Sequence, residues 1–158
     1  MLNFKKLIEN KNFLLILLIL NIVGTITAFY TYLPFINSYI RIGKLIAIPF
    51  FMISFWLFLF AAIFTLYLYF KKKIPVFLGH LIFFYSFVYG FGSAIFYILF
   101  MIFVRGVTVY HVWNIFAHGF VGLQALLFLY KLKKPRISYI LFLGLLFFSK
   151  DVFDMFGS

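Results

Sequence analysis

The chain has 158 residues, of which 66% are hydrophobic, 25% aromatic and only 11% charged, with mean hydropathy +1.15 and formal net charge +11. A soluble domain carries about 25% charged residues, so this composition excludes a water-soluble surface and implies an integral membrane protein. There is no cysteine, which rules out disulfides, thiolate nucleophiles and cysteine-ligated zinc or iron–sulfur clusters.

A membrane helix needs about 20 apolar residues to cross about 30 Å of hydrocarbon. Residues 13–33, "FLLILLILNIVGTITAFYTYL", meet that length. They are too long for a signal-peptide core and lack a small-x-small cleavage site, so they read as a mature helix. Residues 46–70 form the second helix. Residues 75–104 form the third, with Pro75 near its first position, where proline is tolerated. That run is long enough to tilt, protrude or break, and Gly90-x-Gly92 is the expected weak point. Residues 108–130 form the fourth.

The fifth helix is the least obvious. The apolar run "ISYILFLGLLFFS", residues 137–149, gives only about 20 Å of helix. Extension through "KDVFDMFG" to residue 157 reaches about 31 Å, but carries Lys150, Asp151 and Asp154 into the outer part of the span. Lys150 and Asp154 are four residues apart and are expected to pair on one face. The rival arrangement is a half-inserted segment with an internal carboxyl end. The expected fold is therefore all-α: a polytopic helix bundle of about five transmembrane helices (13–33, 46–70, 75–104, 108–130, 137–157) in a single membrane domain over residues 1–158.

Basic residues alternate across these helices. Lys5, Lys6 and Lys11, then Lys71–Lys73, then Lys131, Lys133, Lys134 and Arg136 form one set of ten. Arg41, Lys44 and Arg105 form the other set of three. The imbalance predicts a cell-membrane protein with a cytoplasmic amino terminus and an external carboxyl terminus. The same clustering between apolar runs argues against nucleic acid as a partner. The expected partners are the lipid bilayer and other membrane subunits.

Polar side chains within a bilayer turn towards the bundle or towards water. Asn21, Gly24, Thr25, Ala28 and Thr31 make one stripe on the first helix; Ser86, Gly90, Ser93 and Tyr97 make another on the third. On the fourth, His111, Asn114, His118, Gly122 and Ala125 recur at three- and four-residue steps. Small and hydroxylated residues at this spacing ordinarily serve packing. The ionisable groups are more informative. His118 and Asn21 fall near mid-depth, His80 in the inner third, and His111, Lys150, Asp151 and Asp154 towards the outside. Asn21, His111, Asn114, His118, Lys150, Asp151 and Asp154 are therefore the candidate site residues, expected to gather in an outer-half pocket between helices one, four and five. A purely structural His118, bonded to Asn21 or to a backbone carbonyl, is the competing expectation.

The pieces "NIVGT" (21–25), "YG" (89–90), "HGFVGLQALL" (118–127) and "KDVFD" (150–154) resemble, in that order, a group of small multi-pass bacterial and archaeal membrane proteins of unknown function called YpjA-like. The resemblance implies an uncharacterised membrane protein and supplies no reaction. It also implies a Pro-Asp-Ser-Pro loop before the second helix and a lysine before the Tyr-Gly pair. Here "IPFFMISF" (48–55) keeps Pro49 and Ser54 without an aspartate, and the lysine position is Val88.

The leading functional expectation is a non-enzymatic binding, accessory or transport-related protein. The alternative is an intramembrane enzyme, or a metal or haem protein, using His118 with Asp151 and Asp154. No His-Glu-x-x-His, Gly-x-Ser-x-Gly or phosphate-loop pattern is present. His111 and His118 are seven apart on one helix, so they cannot easily hold one iron from opposite faces. No cofactor is assigned, and any metal is left unknown.

Overall fold

A computed structural model describes residues 4–45 and 48–156. Their regular structure is helical throughout: α1 (Phe4–Glu9), α2 (Lys11–Arg41), α3 (Ile48–Phe51), α4 (Ile53–Tyr69), α5 (Val76–Phe100) continuing as a π-helical segment (Met101–Arg105), α6 (Val109–Leu129) and α7 (Ile137–Phe156). The chain is an all-α helix bundle. Three of its helices, over Lys11–Arg41, Val76–Val104 and Val109–Leu129, are long and apolar enough to cross a membrane, and Ile53–Tyr69 and Ile137–Phe147 are shorter apolar helices.

The outer faces explain the composition. Leu15, Ile16, Ile19 and Val23 on α2, and Ile95, Phe96 and Leu99 on α5, are all more than two-fifths exposed. Such rows are stable against hydrocarbon and not against water. Membrane association follows from them directly.

The helices pack as two close pairs, α2 along α4 and α5 along α6, with α4 also touching α5 and α6. The core lies where the pairs meet. Leu57, Phe64, Ile82, Val121 and Phe128 are fully buried there. The Phe64 and Phe128 rings stack with centroids 4.1 Å apart. Between α5 and α6 the backbones themselves touch. A Cβ placed on Gly90 would lie 2.6 Å from the Gly122 amide nitrogen and 2.7 Å from its Cα.

Several boundaries differ from the sequence reading, each for a physical reason. The first helix does not stop at Leu33; it runs through Pro34 to Arg41. Proline removes one donor, whereas ending the helix in an apolar environment would strand several backbone groups. The stop comes at Gly43, whose φ of 73° lets the Lys44 amide bond the Tyr39 carbonyl at 2.9 Å. The second helix is not continuous. It breaks at Met52 (φ −78°, ψ 48°), and the Trp56 indole donates to the Pro49 carbonyl at 2.8 Å. The third helix does not break at Gly90-x-Gly92, because Gly90 serves close packing; it loosens later, in the π segment. The fourth agrees to one residue at each end and is capped by Thr108, whose hydroxyl accepts from the His111 amide at 3.2 Å.

α7 is a helix of 20 residues, about 30 Å long. Its first turns lie beside the start of α5, with Tyr139 and Phe142 against Phe77. Phe147 then meets Tyr85 and Tyr89. Further along, the helix contacts α3, at the opposite end of the bundle. α7 thus runs parallel to α5 from one end of the bundle to the other. It packs more lightly than the four central helices, with Leu143 as its buried contact.

Candidate functional site

The site is a cavity of about 630 Å³ between α2, α4, α5 and α6. It exists because α2 and α6, each tied to its own partner helix, approach one another only slightly along their backbones. One side-chain clasp bridges them. Asn21 donates to Gln124 Oε1 at 2.8 Å, and Gln124 donates back to Asn21 Oδ1 at 3.0 Å. Both residues are buried, and the Asn21 amide also reaches Thr65 Oγ1 at 3.4 Å. The cavity begins about one turn beyond this clasp, at Gly24 and Phe120, and continues away from it along Ala28 and Thr31 on α2 and Ala117, Asn114 and Trp113 on α6.

Most of the lining is apolar. One hydrogen-bonded polar cluster in it centres on His118, and Thr27, Thr31 and Tyr110 add further hydroxyls to the lining. His118 Nδ1 lies 2.9 Å from the Asn114 carbonyl, which can only accept, so Nδ1 carries the proton. In the neutral ring Nε2 is then an acceptor, and Ser54 Oγ, 3.0 Å away, donates to it. The Tyr32 hydroxyl is 3.4 Å from Ser54 Oγ and accepts from the Ser54 amide at the same distance. That amide belongs to the first turn of α4, which has no side-chain cap, so the break at Met52 brings a helix start to the cavity wall. The Tyr97 ring lies 6.0 Å from His118 and 5.9 Å from His111, and completes the polar wall.

The sequence-derived candidates separate into three groups. His118 and Asn114 line the cavity. Asn21 and His111 are buried beside it in bonds of their own, Asn21 in the clasp and His111 through Nδ1 to the Thr108 hydroxyl at 2.8 Å. Lys150, Asp151 and Asp154 lie on the last turns of α7, but their side chains, and hence the expected Lys150–Asp154 pair, fall outside the described residues. His118 bonds a backbone carbonyl, as one expectation had it, but its side-chain partner is Ser54 and Asn21 bonds Gln124 instead. His80 lies apart near the start of α5, with Nδ1 2.7 Å from the Val76 carbonyl. Among the described residues no three metal-ligating side chains come together.

Sequence reasoning missed Ser54, Tyr32 and Gln124 as functional positions. Gln124 had a readable signal: it is the sole glutamine in the chain and stands in an apolar helix, where an amide needs a partner. Tyr32 had none, and Ser54 appeared only as a residue kept from the loop that the resemblance implies, because the significance of both depends on the break at Met52.

No protein-family model, curated protein or solved structure matches the chain.

Proposed function

We propose that this protein is a non-enzymatic cell-membrane protein that binds a neutral amphipathic small molecule in the cavity between α2, α4, α5 and α6. The observation that carries this reading is the make-up of the wall. A cavity of about 630 Å³ is lined mainly by apolar and aromatic side chains, carries a hydrogen-bonded cluster at Ser54, His118 and Tyr32, and has no lysine, arginine, aspartate or glutamate among the described residues of its lining. This volume lies in the range that encloses drug-sized ligands, about 300–1,000 Å³. A charged ligand would be left without a counter-charge in a low-dielectric wall, so the fitting molecule is uncharged. It carries an apolar body and one hydroxyl or carbonyl group. Its polar group meets the Ser54–His118 wall, and its body lies against Phe58, Phe116 and Phe120. In the same reading the lysine-rich end faces the cytoplasm and the end of α7 lies outside.

The test is extraction and mass spectrometry of molecules that copurify in mild detergent. Ala117→Phe, which fills the cavity from α6, is the comparison. A neutral molecule retained by the wild type and depleted from Ala117→Phe supports binding. Identical extracts from the two would remove it.

A second reading rests on the Ser54–His118 distance of 3.0 Å. A serine hydroxyl donating to an imidazole whose other nitrogen is held by a carbonyl is the arrangement of an activated nucleophile. It favours acyl transfer to Ser54, with His118 taking the hydroxyl proton. A serine-directed fluorophosphonate that labels the wild type and not Ser54→Ala would support it; absence of labelling leaves the binding reading alone.

A further inference from the structure

A second cavity, of about 660 Å³, opens at the other end of the bundle. Three separate stretches of chain supply its rim: the start of α2 with Lys11, the α4–α5 turn with Lys71, Lys72 and Lys73, and the α6–α7 link with Lys131 and Lys133. Its floor is apolar, with Leu14, Phe64 and Leu68. Six lysines therefore surround one concave space. Glu9 is the only acidic residue among the described residues of its lining. The chain's other two acids, Asp151 and Asp154, sit on the last turns of α7, about 20 Å along that helix from the basic end. The protein has no further acid with which to balance the rim.

Membrane orientation accounts for lysines being on this side of the bundle. It requires charge only, and gives no reason for them to converge on a hollow with an apolar floor. The backbone adds a second sign of construction. Lys71 stands at the end of α4 with φ 53°, in the left-handed region, where glycine is the ordinary choice. A lysine there holds its side chain on the cavity rim despite that cost. Lys11 is fixed from the other side, its ammonium 5.9 Å from the Tyr69 ring centroid.

We propose that this cavity binds a phosphate-bearing anion, with the phosphate among the six lysines and any attached glycerol or acyl portion on the apolar floor. Ammonium groups bind phosphate as point charges without needing one fixed geometry, which suits a rim of flexible lysines. Two sources share this chemistry: the headgroup of an anionic phospholipid and a soluble phosphate ester.

Native mass spectrometry and a binding titration on the full chain in mild detergent test the proposal. The probes are phosphatidylglycerol, phosphatidylcholine and glycerol 3-phosphate. Two variants remove equal charge from the same end. Lys72→Gln/Lys131→Gln takes two rim lysines; Lys134→Gln/Arg136→Gln takes two basic residues that do not line the cavity. All four positions are exposed, so the fold is expected to survive both pairs. One basic residue near an anionic surface contributes about a fivefold factor, so the rim pair is expected to weaken phosphatidylglycerol binding by about 30-fold and the outer pair by less than about threefold. Rim-dependent binding of phosphatidylglycerol alone assigns the cavity to a lipid headgroup. Rim-dependent binding of glycerol 3-phosphate assigns it to a soluble ester. Equal loss from the two pairs, or equal retention of phosphatidylglycerol and phosphatidylcholine by the wild type together with no rim-dependent binding of glycerol 3-phosphate, overturns the proposal.

Discussion

Asn21 and Gln124 face each other across α2 and α6 and exchange two hydrogen bonds, at 2.8 and 3.0 Å. Each amide satisfies the other, so two polar side chains are buried in an apolar bundle without an orphaned donor or acceptor on that edge. The pair also closes the end of the cavity that begins one turn away, at Gly24 and Phe120.

The pair should behave as a unit. Asn21→Leu and Gln124→Leu each leave one buried amide without its partner, and each is expected to destabilise by about 1–3 kcal/mol. The double variant removes both and is expected to cost less than the sum, with a coupling of about 0.6–2 kcal/mol. Unfolding in a denaturing-detergent titration, run as a double-mutant cycle, measures it. Additive losses would mean that the two amides do not support each other.

Gly90 and Gly92 sit two residues apart on α5 and predict opposite outcomes. A Cβ on Gly90 meets the Gly122 backbone, which cannot move aside without parting the helices, so Gly90→Ala is expected to destabilise by about 1–3 kcal/mol. Gly92 has nothing within 4 Å of its Cβ position, and Gly92→Ala is expected to be neutral or to stabilise by up to about 1 kcal/mol. Thermal unfolding of the two variants in one detergent separates them.

Ser86 makes a smaller prediction. Its hydroxyl is fully buried on α5 and finds no hydrogen-bond partner among the described residues. An unsatisfied buried hydroxyl costs free energy, so Ser86→Ala is expected to be neutral or stabilising by about 1 kcal/mol in the same unfolding measurement.

Much of the fold was legible because a membrane imposes length and satisfaction on every backbone segment. The fourth helix emerged to within one residue at each end, since Thr108 caps it and the apolar run fits one crossing. The fifth emerged from a length deficit that only residues 150–157 could fill, and α7 does extend to Phe156. Features that depend on contact were not legible. The bounds 13–33 mark only the length one crossing needs, and nothing in that length foretells that the helix continues through Pro34 to Arg41. Gly90 reads as a weak point until Gly122 is found against it. In the site, spacing brought out His118 and Asn114 on one face of α6. It did not find Ser54, because the wall is made by a break at Met52 that no spacing encodes.

The lack of cysteine makes orientation testable with single introduced thiols. Lys44→Cys lies at the sparsely basic end and Lys133→Cys at the lysine-rich end, and both positions are exposed. A membrane-impermeant maleimide is expected to label Lys44→Cys in intact cells and Lys133→Cys only after permeabilisation. The reverse pattern would invert the proposed topology.

The cavity beside His118 is proposed to hold a neutral molecule. Native mass spectrometry of the wild type and of His118→Leu, released from the same detergent, tests it most directly. His118→Leu removes the partner of Ser54 and fills the wall with an apolar side chain. The expected result is one discrete adduct on the wild type, at a stoichiometry near one, that is absent or at least about tenfold depleted from the variant, as the loss of a buried hydrogen bond implies. Wild type and variant carrying the same scatter of bulk-lipid adducts, with no discrete species, would contradict it.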